Sequence, residues 1–244
     1  MAKRAELHLF ASHDGQQIAF YSLGEPTAPA VLLAHGYGAS SVSNWLAPKI
    51  AQRLASAGFR VVAIDLRGHG ESAKPTDPAL YTSEQEVRDI VALADHLGLE
   101  SYAAVGYSHG SIEVAKLLTI DPHRIVCGVL GGIGDLLSDP KWKQENGIDT
   151  IAVGLEREVG LERPEPGGGQ GSGMAAMMAE AGMSNDDMLA LACVQRGQSV
   201  TSAEELGMVS CPVLCLNGRD DDANGDKLAL AGMIPNSELV WVPP

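Results

Sequence analysis

The sequence predicts an α/β protein: a mostly parallel, doubly wound sheet with an antiparallel hairpin first and a helical insertion late. Three observations predict it. Five short runs, "AVLLAH" (30–35), "RVVAID" (60–65), "YAAVG" (102–106), "RIVCGVL" (124–130) and "PVLCLN" (212–217), are almost continuously apolar. Parallel strands read this way when helices cover both faces of their sheet. Segments with a helical apolar period fall between the runs, and strand alternating with helix implies parallel crossover units. Residues 136–205 then interrupt the rhythm with helical pieces and no clear strand.

In chain order, "LHLFAS" and "QIAFYSL" flank the turn signal "HDGQ" and predict the hairpin. "WLAPKIAQRLASAG" (45–58) reads as a helix stopped by glycine. Residues 83–97 open with a capping box, Ser83-x-x-Glu86, and bury Val87, Ile90, Val91, Ala94 and Leu97 on one stripe before Gly98 stops them. Within the insertion, "RPEPGGGQGSG" (163–173) predicts irregular backbone. The Met-rich "MAAMMAEAGMS" beside it reads first as helix packing, and second as the lining of an adaptable cavity. The expected division is a core of residues 1–135 and 206–244, with 136–205 as a lid over it.

The chain has 244 residues, enough for one large domain with a substantial core. Its formal charge of −14 argues against nucleic acid and against an anionic membrane surface, both of which call for clustered Lys and Arg. No run is long enough to span a membrane, and no apolar segment follows Lys3 and Arg4, so no secretory signal is expected. Cys127, Cys193, Cys211 and Cys215 read as buried, reduced thiols. Cys211 and Cys215 are too far apart along a strand to bridge, and lack the His or Cys partners of a zinc site. A cytoplasmic protein without metal or organic cofactor is expected.

The chemistry concentrates in "GYSHG" (106–110), a G-x-S-x-G between the run "YAAVG" and the helical "SIEVAKLLTI". A serine on so sharp a strand-to-helix turn needs small residues two before and two after it. The turn lifts Oγ above the sheet, where the helix dipole favours negative charge. Four segments then resemble the α/β-hydrolase superfamily, in the branch with a short lid, and occur in its order: "LLAHGYGAS" its oxyanion loop, "AIDLRGHGES" its strand-four signature, "AVGYSHGS" its nucleophile elbow, and "CPVLCLNGRDD" the strand delivering its acid. One departure is Ser111, where the family often has a second glycine.

The resemblance implies the α/β-hydrolase fold, with Ser108 as nucleophile and the backbone N–H groups of Tyr37 and His109 as the oxyanion hole. It places the acid three residues after Gly218, at Asp221, with Asp220 next, Asp222 beside them, and Asp135 as the other acid at a strand end. The triad base, a histidine, should follow the acid. The seven histidines are His8, His13, His35, His69, His96, His109 and His123, and none follows the acid. "ELVWVPP" resembles the last sheet strand, after which the family carries its histidine loop and a final helix. The expectation is therefore a chain given without that segment, a poor catalyst and a weakened fold as it stands.

Two rival readings compete. "GYGASS" (36–41), with Asp65 ending the next strand, begins like a dinucleotide-binding loop, but Ser41 stands where the third glycine belongs. The other keeps the fold as a non-catalytic ligand-binding protein. The favoured reading is a serine hydrolase of small acyl substrates, cleaving an ester, lactone or thioester through an acyl-enzyme, with C–C hydrolase and perhydrolase chemistry open. A serine nucleophile disfavours the dehalogenase and epoxide-hydrolase branches, which use aspartate. Neither a nucleic-acid nor a membrane partner is expected, and oligomeric state is not legible.

Overall fold

The computed structural model describes residues 5–82, 84–139, 148–161 and 170–243. Its strands are β1 (Glu6–Ala11), β2 (Gln17–Leu23), β3 (Ala30–Ala34), β4 (Arg60–Ile64), β5 (Tyr102–Tyr107), β6 (Ile125–Gly131), β7 (Val213–Gly218) and β8 (Ser237–Val242). They form one sheet in the order β1-β2-β4-β3-β5-β6-β7-β8. The β1–β2 hairpin and the β2–β4 pair are antiparallel, and every other neighbour is parallel. All five apolar runs are strands of the parallel part, as their unbroken hydrophobicity requires.

The α-helices among the described residues are α1 (Ile50–Ser56), α2 (Gln85–His96), α3 (His109–Ile120), α4 (Ile148–Glu158), α5 (Gln170–Glu180), α6 (Asn185–Gly197), α7 (Ala203–Gly207) and α8 (Lys227–Met233). Alternate strand residues face opposite sides. Leu32, Val62 and Ile64 join α2, α3, α7 and α8 in the larger core, while Val31, Leu33, Val61 and Ala63 pack on Trp45 and α1.

Two helices differ from the sequence reading. Residues 45–58 do not form one helix: a π-helical turn over Val42–Leu46 precedes α1. Pro48 brings no N–H to a continuing ladder, and Lys49 leaves the helix at φ 64°. In α2, Ser83 lies outside the described residues and Glu84 precedes the helix at φ 74°. Glu86 does not serve as a capping residue there, since its carboxylate points inward to His109. Of the expected stripe, Val87, Ile90 and Ala94 are buried while Val91 and Leu97 are half-buried against the same core, and Gly98 follows the helix at φ 62°.

Between β6 and β7, helices α4, α5 and α6 bury Ala152, Leu155, Ala175, Met178, Met188 and Leu191 in a cluster of their own. Of the Pro/Gly stretch, Gln170–Gly173 begins α5 rather than a loop, and 163–169 lies outside the described residues. All four cysteines are free thiols; Cys193 and Cys215 are buried, but Cys127 and Cys211 are only half-buried. Among the described residues no helix is long and apolar enough to cross a membrane.

Candidate active site

β5 ends at Tyr107 and α3 begins at His109, which leaves Ser108 alone on the turn at φ 51° and ψ −115°. An L-residue is strained there, and such strain persists only where its surroundings impose it. The flanking glycines show how. A β-carbon on Gly106 would stand 2.3 Å from the Gly110 oxygen, and one on Gly110 would stand 2.2 Å from the Ala34 oxygen. The Ser108 N–H donates to the Gly131 carbonyl at 2.8 Å. Ser111 fits its unusual place by tying α3 to β6: its hydroxyl donates to the Gly131 carbonyl at 2.8 Å and accepts the Gly131 N–H at 2.9 Å.

The loop after β3 lies against this turn, since a β-carbon on Gly36 would stand 3.5 Å from Ser108 Cβ. The Gly36 N–H is held by Asn44 Oδ1 at 2.8 Å. Among the described residues, neither the Tyr37 nor the His109 N–H makes a turn or cap hydrogen bond. Buried Asp65 fixes the loop from behind, accepting the Ser41 N–H at 2.7 Å on one oxygen and the Glu71 N–H at 2.9 Å on the other. The Tyr37 hydroxyl donates to the Leu191 carbonyl on α6 at 2.9 Å. Burial, with Glu86 and Cys193 nearby, holds this phenol well above its usual range, so it remains a donor.

Behind Ser108 the His109 ring is buried between two partners. Nε2 lies 3.2 and 3.1 Å from the two Glu86 oxygens, and Nδ1 lies 3.0 Å from Gln198 Nε2. Burial opposes charge on the ring, but Glu86 and, beyond it, Glu113 raise its pKa. Glu113, one turn along α3, accepts the Ser199 hydroxyl at 3.0 Å. Burial first, and the Glu86 carboxylate second, push it up to about 7.

The other histidines near the site are structural. His35 Nδ1 lies 2.8 Å from the Gly36 oxygen, and its Nε2 accepts the Leu66 N–H at 3.1 Å. His69 Nδ1 lies 3.0 Å from the Arg67 oxygen, while burial and the neighbouring His35 and His109 keep the ring well below the usual histidine range. His8, His13, His96 and His123 lie on β1, the hairpin turn, the end of α2 and the turn after α3. None of the seven bonds Ser108 Oγ among the described residues.

The acids sit on neighbouring strand ends. Asp221 follows β7, half-buried, accepting the Ala223 N–H at 3.1 Å and facing Lys227 at 3.6 Å. Asp220 and Asp222 are exposed. Asp135, past β6, accepts the Asp226 N–H at 2.8 Å.

A cavity of about 370 Å³ opens beside the loop, lined by Gly38–Ser40, His69 and Gly70 from the core and by Met183, Asp187 and Leu191 from the inserted helices. Lys74 and Asp187 pair across its rim at 3.2 Å. Of the Met-rich stretch, Met178 packs among the helices, with its methyl against Gly38, while Met183 lines this cavity, whose walls are of mixed polarity. The sequence reading missed Asn44, Glu113 and Gln198, and took Glu86 only for a helix cap. For Glu113 a signal existed: it is an acid within "SIEVAKLLTI", a helix apolar on nearly every side.

The family described as alpha/beta hydrolase fold matches residues 29–149. Epoxide hydrolase A of Mycobacterium tuberculosis is 37% identical over 110 residues, covering 44% of this chain and 33% of that protein. The bifunctional esterase/perhydrolase DCH of Acinetobacter calcoaceticus is 35% identical over 110 residues, covering 45% and 38%. The matches span from 19% to 44% of the length of the first curated relatives. Among solved structures, the thioesterase domain from the curacin biosynthetic pathway superposes with a TM-score of 0.71 at 19% identity, over 99% of this chain and 94% of that one. Sheet order, serine turn and family match agree, and the chain belongs to the α/β-hydrolase superfamily.

Proposed function

We propose that this chain carries the nucleophile and oxyanion hole of a serine hydrolase acting on small acyl substrates, esters, lactones or thioesters. One observation carries the reading: Ser108 sits alone at φ 51° on a turn closed by Gly106 and Gly110. Ser108 Oγ attacks the carbonyl carbon, and the N–H groups of Tyr37 and His109 receive the developing oxyanion. The leaving group departs, and water then releases the acid from the acyl-enzyme. Helices α4–α6 act as the lid over the acyl or leaving group.

Esters are favoured over epoxides by the bond that the nucleophile would leave behind. A serine that opened an epoxide would form an ether, which water does not cleave under mild conditions. An acylated serine is an ester, and water hydrolyses it. The serine at position 108 therefore supports acyl transfer, although several relatives are named epoxide hydrolases.

The Ser108 proton needs a base, for which the reading takes a histidine oriented by Asp221 at the carboxyl edge of the sheet. Four free thiols accord with a reducing, cytoplasmic setting. The test uses the full-length protein carrying this sequence. It should turn over short-chain p-nitrophenyl esters and be labelled by a fluorophosphonate, and Ser108→Ala should abolish both. Turnover that survives in the variant would end the proposal.

A further inference from the structure

The peptide joining Ser108 to His109 carries the N–H that the proposed reaction uses. Its orientation depends on ψ of Ser108, which stands at the strained pair φ 51°, ψ −115°. Left free, that peptide would rotate toward a relaxed conformation and turn its N–H away. The helix holds one edge of it, since the Ser108 carbonyl of that peptide accepts the Ser111 N–H at 2.8 Å and the Ile112 N–H at 3.3 Å. The His109 side chain is the handle on the other side. Its ring is 2% exposed and gripped from opposite edges, at Nε2 by both Glu86 oxygens and at Nδ1 by Gln198.

Gln198 follows α6 directly, where the inserted helices return to the core. Its neighbour Ser199 grips Glu113, one turn beyond His109, at 3.0 Å. Two consecutive residues of the return segment thus hold successive turns at the start of the nucleophile helix. With a neutral ring, Nε2–H donates to Glu86 and Nδ1 accepts the Gln198 amide N–H.

We propose that Glu86 and Gln198 are positioning residues for the acyl-transfer reaction, holding the His109 ring so that its backbone N–H stays aligned on the oxyanion, and that Gln198 makes alignment depend on the seating of the inserted helices. This rests on the serine-hydrolase reading. The same side chains admit another reading, since ligand atoms of Glu86, His109 and Glu113 all lie within 4.8 Å of one another, as around a cation.

The experiment uses the full-length protein and p-nitrophenyl acetate. Gln198→Met keeps the side-chain length and removes the amide. It should lower kcat by about tenfold to a hundredfold, as small displacements of reacting groups do, with KM little changed and Tm lowered modestly by the buried Nδ1 left without a partner. Glu86→Leu should act likewise, while Glu86→Gln, which keeps an acceptor for Nε2–H, should retain most of kcat. In nitrogen-15 spectra the His109 ring and backbone amide should both shift in Gln198→Met, a readout that needs no turnover. Wild-type kcat in Gln198→Met, or an unmoved His109 amide, would overturn the proposal. So would a rise in Tm with Zn²⁺ that Glu113→Gln abolishes, because the cluster would then be a cation site. Absence of ester turnover in the unmodified protein would instead sink the serine-hydrolase reading, and the spectra would still decide the positioning.

Discussion

Gly110 passes so close to Ala34 that a β-carbon on it would stand 2.2 Å from the Ala34 carbonyl oxygen. The contact is backbone to backbone, so no side chain can move aside to relieve it. It fixes how near α3 lies to β3, and hence how near Ser108 lies to the loop that follows that strand.

Gly110→Ala should therefore destabilise the fold by roughly 1–3 kcal/mol, the usual cost of overpacking. Gly36→Ala is the contrast, since its new methyl would meet neighbours only at 3.4–3.5 Å. Urea midpoints of the two variants check this. A Gly110→Ala protein as stable as Gly36→Ala would contradict the packing described.

At Ser108 the strain separates stability from activity. Ser108→Gly should raise Tm, because glycine adopts φ 51° at little cost, while removing ester turnover. Ser108→Ala keeps the strain and should leave Tm near the wild type, with turnover down by about 10⁶ in the full-length protein. Calorimetry alongside ester kinetics reads both effects.

For the acid, Asp221→Asn in the full-length protein should lower kcat by about 10⁴ if it orients the base. Asp220→Asn and Asp222→Asn, both at exposed positions, should cost far less. Asp135 already accepts the Asp226 N–H and should behave as a loop-holding residue, with Asp135→Ala altering stability more than kcat. A larger kcat loss at Asp220 would place the acid one residue earlier.

The buried pair behind the serine predicts a pH dependence. Glu113 is raised from 4.5 to about 7, so between those values the unfolded chain releases a proton that the folded chain keeps. Stability should fall as pH rises through that window and level above it. His109, also raised, acts in the same direction: its contribution is complete below 6.5 and is lost as pH rises through its folded value. Urea midpoints from pH 4.5 to 8 should fall less steeply in Glu113→Gln than in the wild type. Identical slopes would remove Glu113 from this role.

The strands and the serine turn were legible because each is written locally. Both-faced burial leaves unbroken apolar runs such as "AVLLAH", and Gly106 and Gly110 sit at fixed offsets from Ser108. The helix over 45–58 was misread because its apolar period is genuine and Pro48 alone breaks it. The cluster around His109 could not be read, because Glu86, Glu113 and Gln198 come from three segments that meet only in the fold. Glu86 also fits a capping box in one dimension, while in three it turns inward. The pairing of α5 and α6 with Tyr37 was hidden for the same reason.

Two ionic arrangements beside the cavity differ in what surrounds them. The Asp65 carboxylate is buried and held by backbone N–H groups, out of reach of mobile counterions. Lys74 and Asp187 meet at the rim, each side chain about a third exposed, where dissolved ions compete for both charges. Ionic strength thus becomes a selective handle on this architecture. At 1 M NaCl, where screening extends only about 3 Å, the rim contact should loosen and admit bulkier ligands, while the loop ahead of Ser108 keeps its shape.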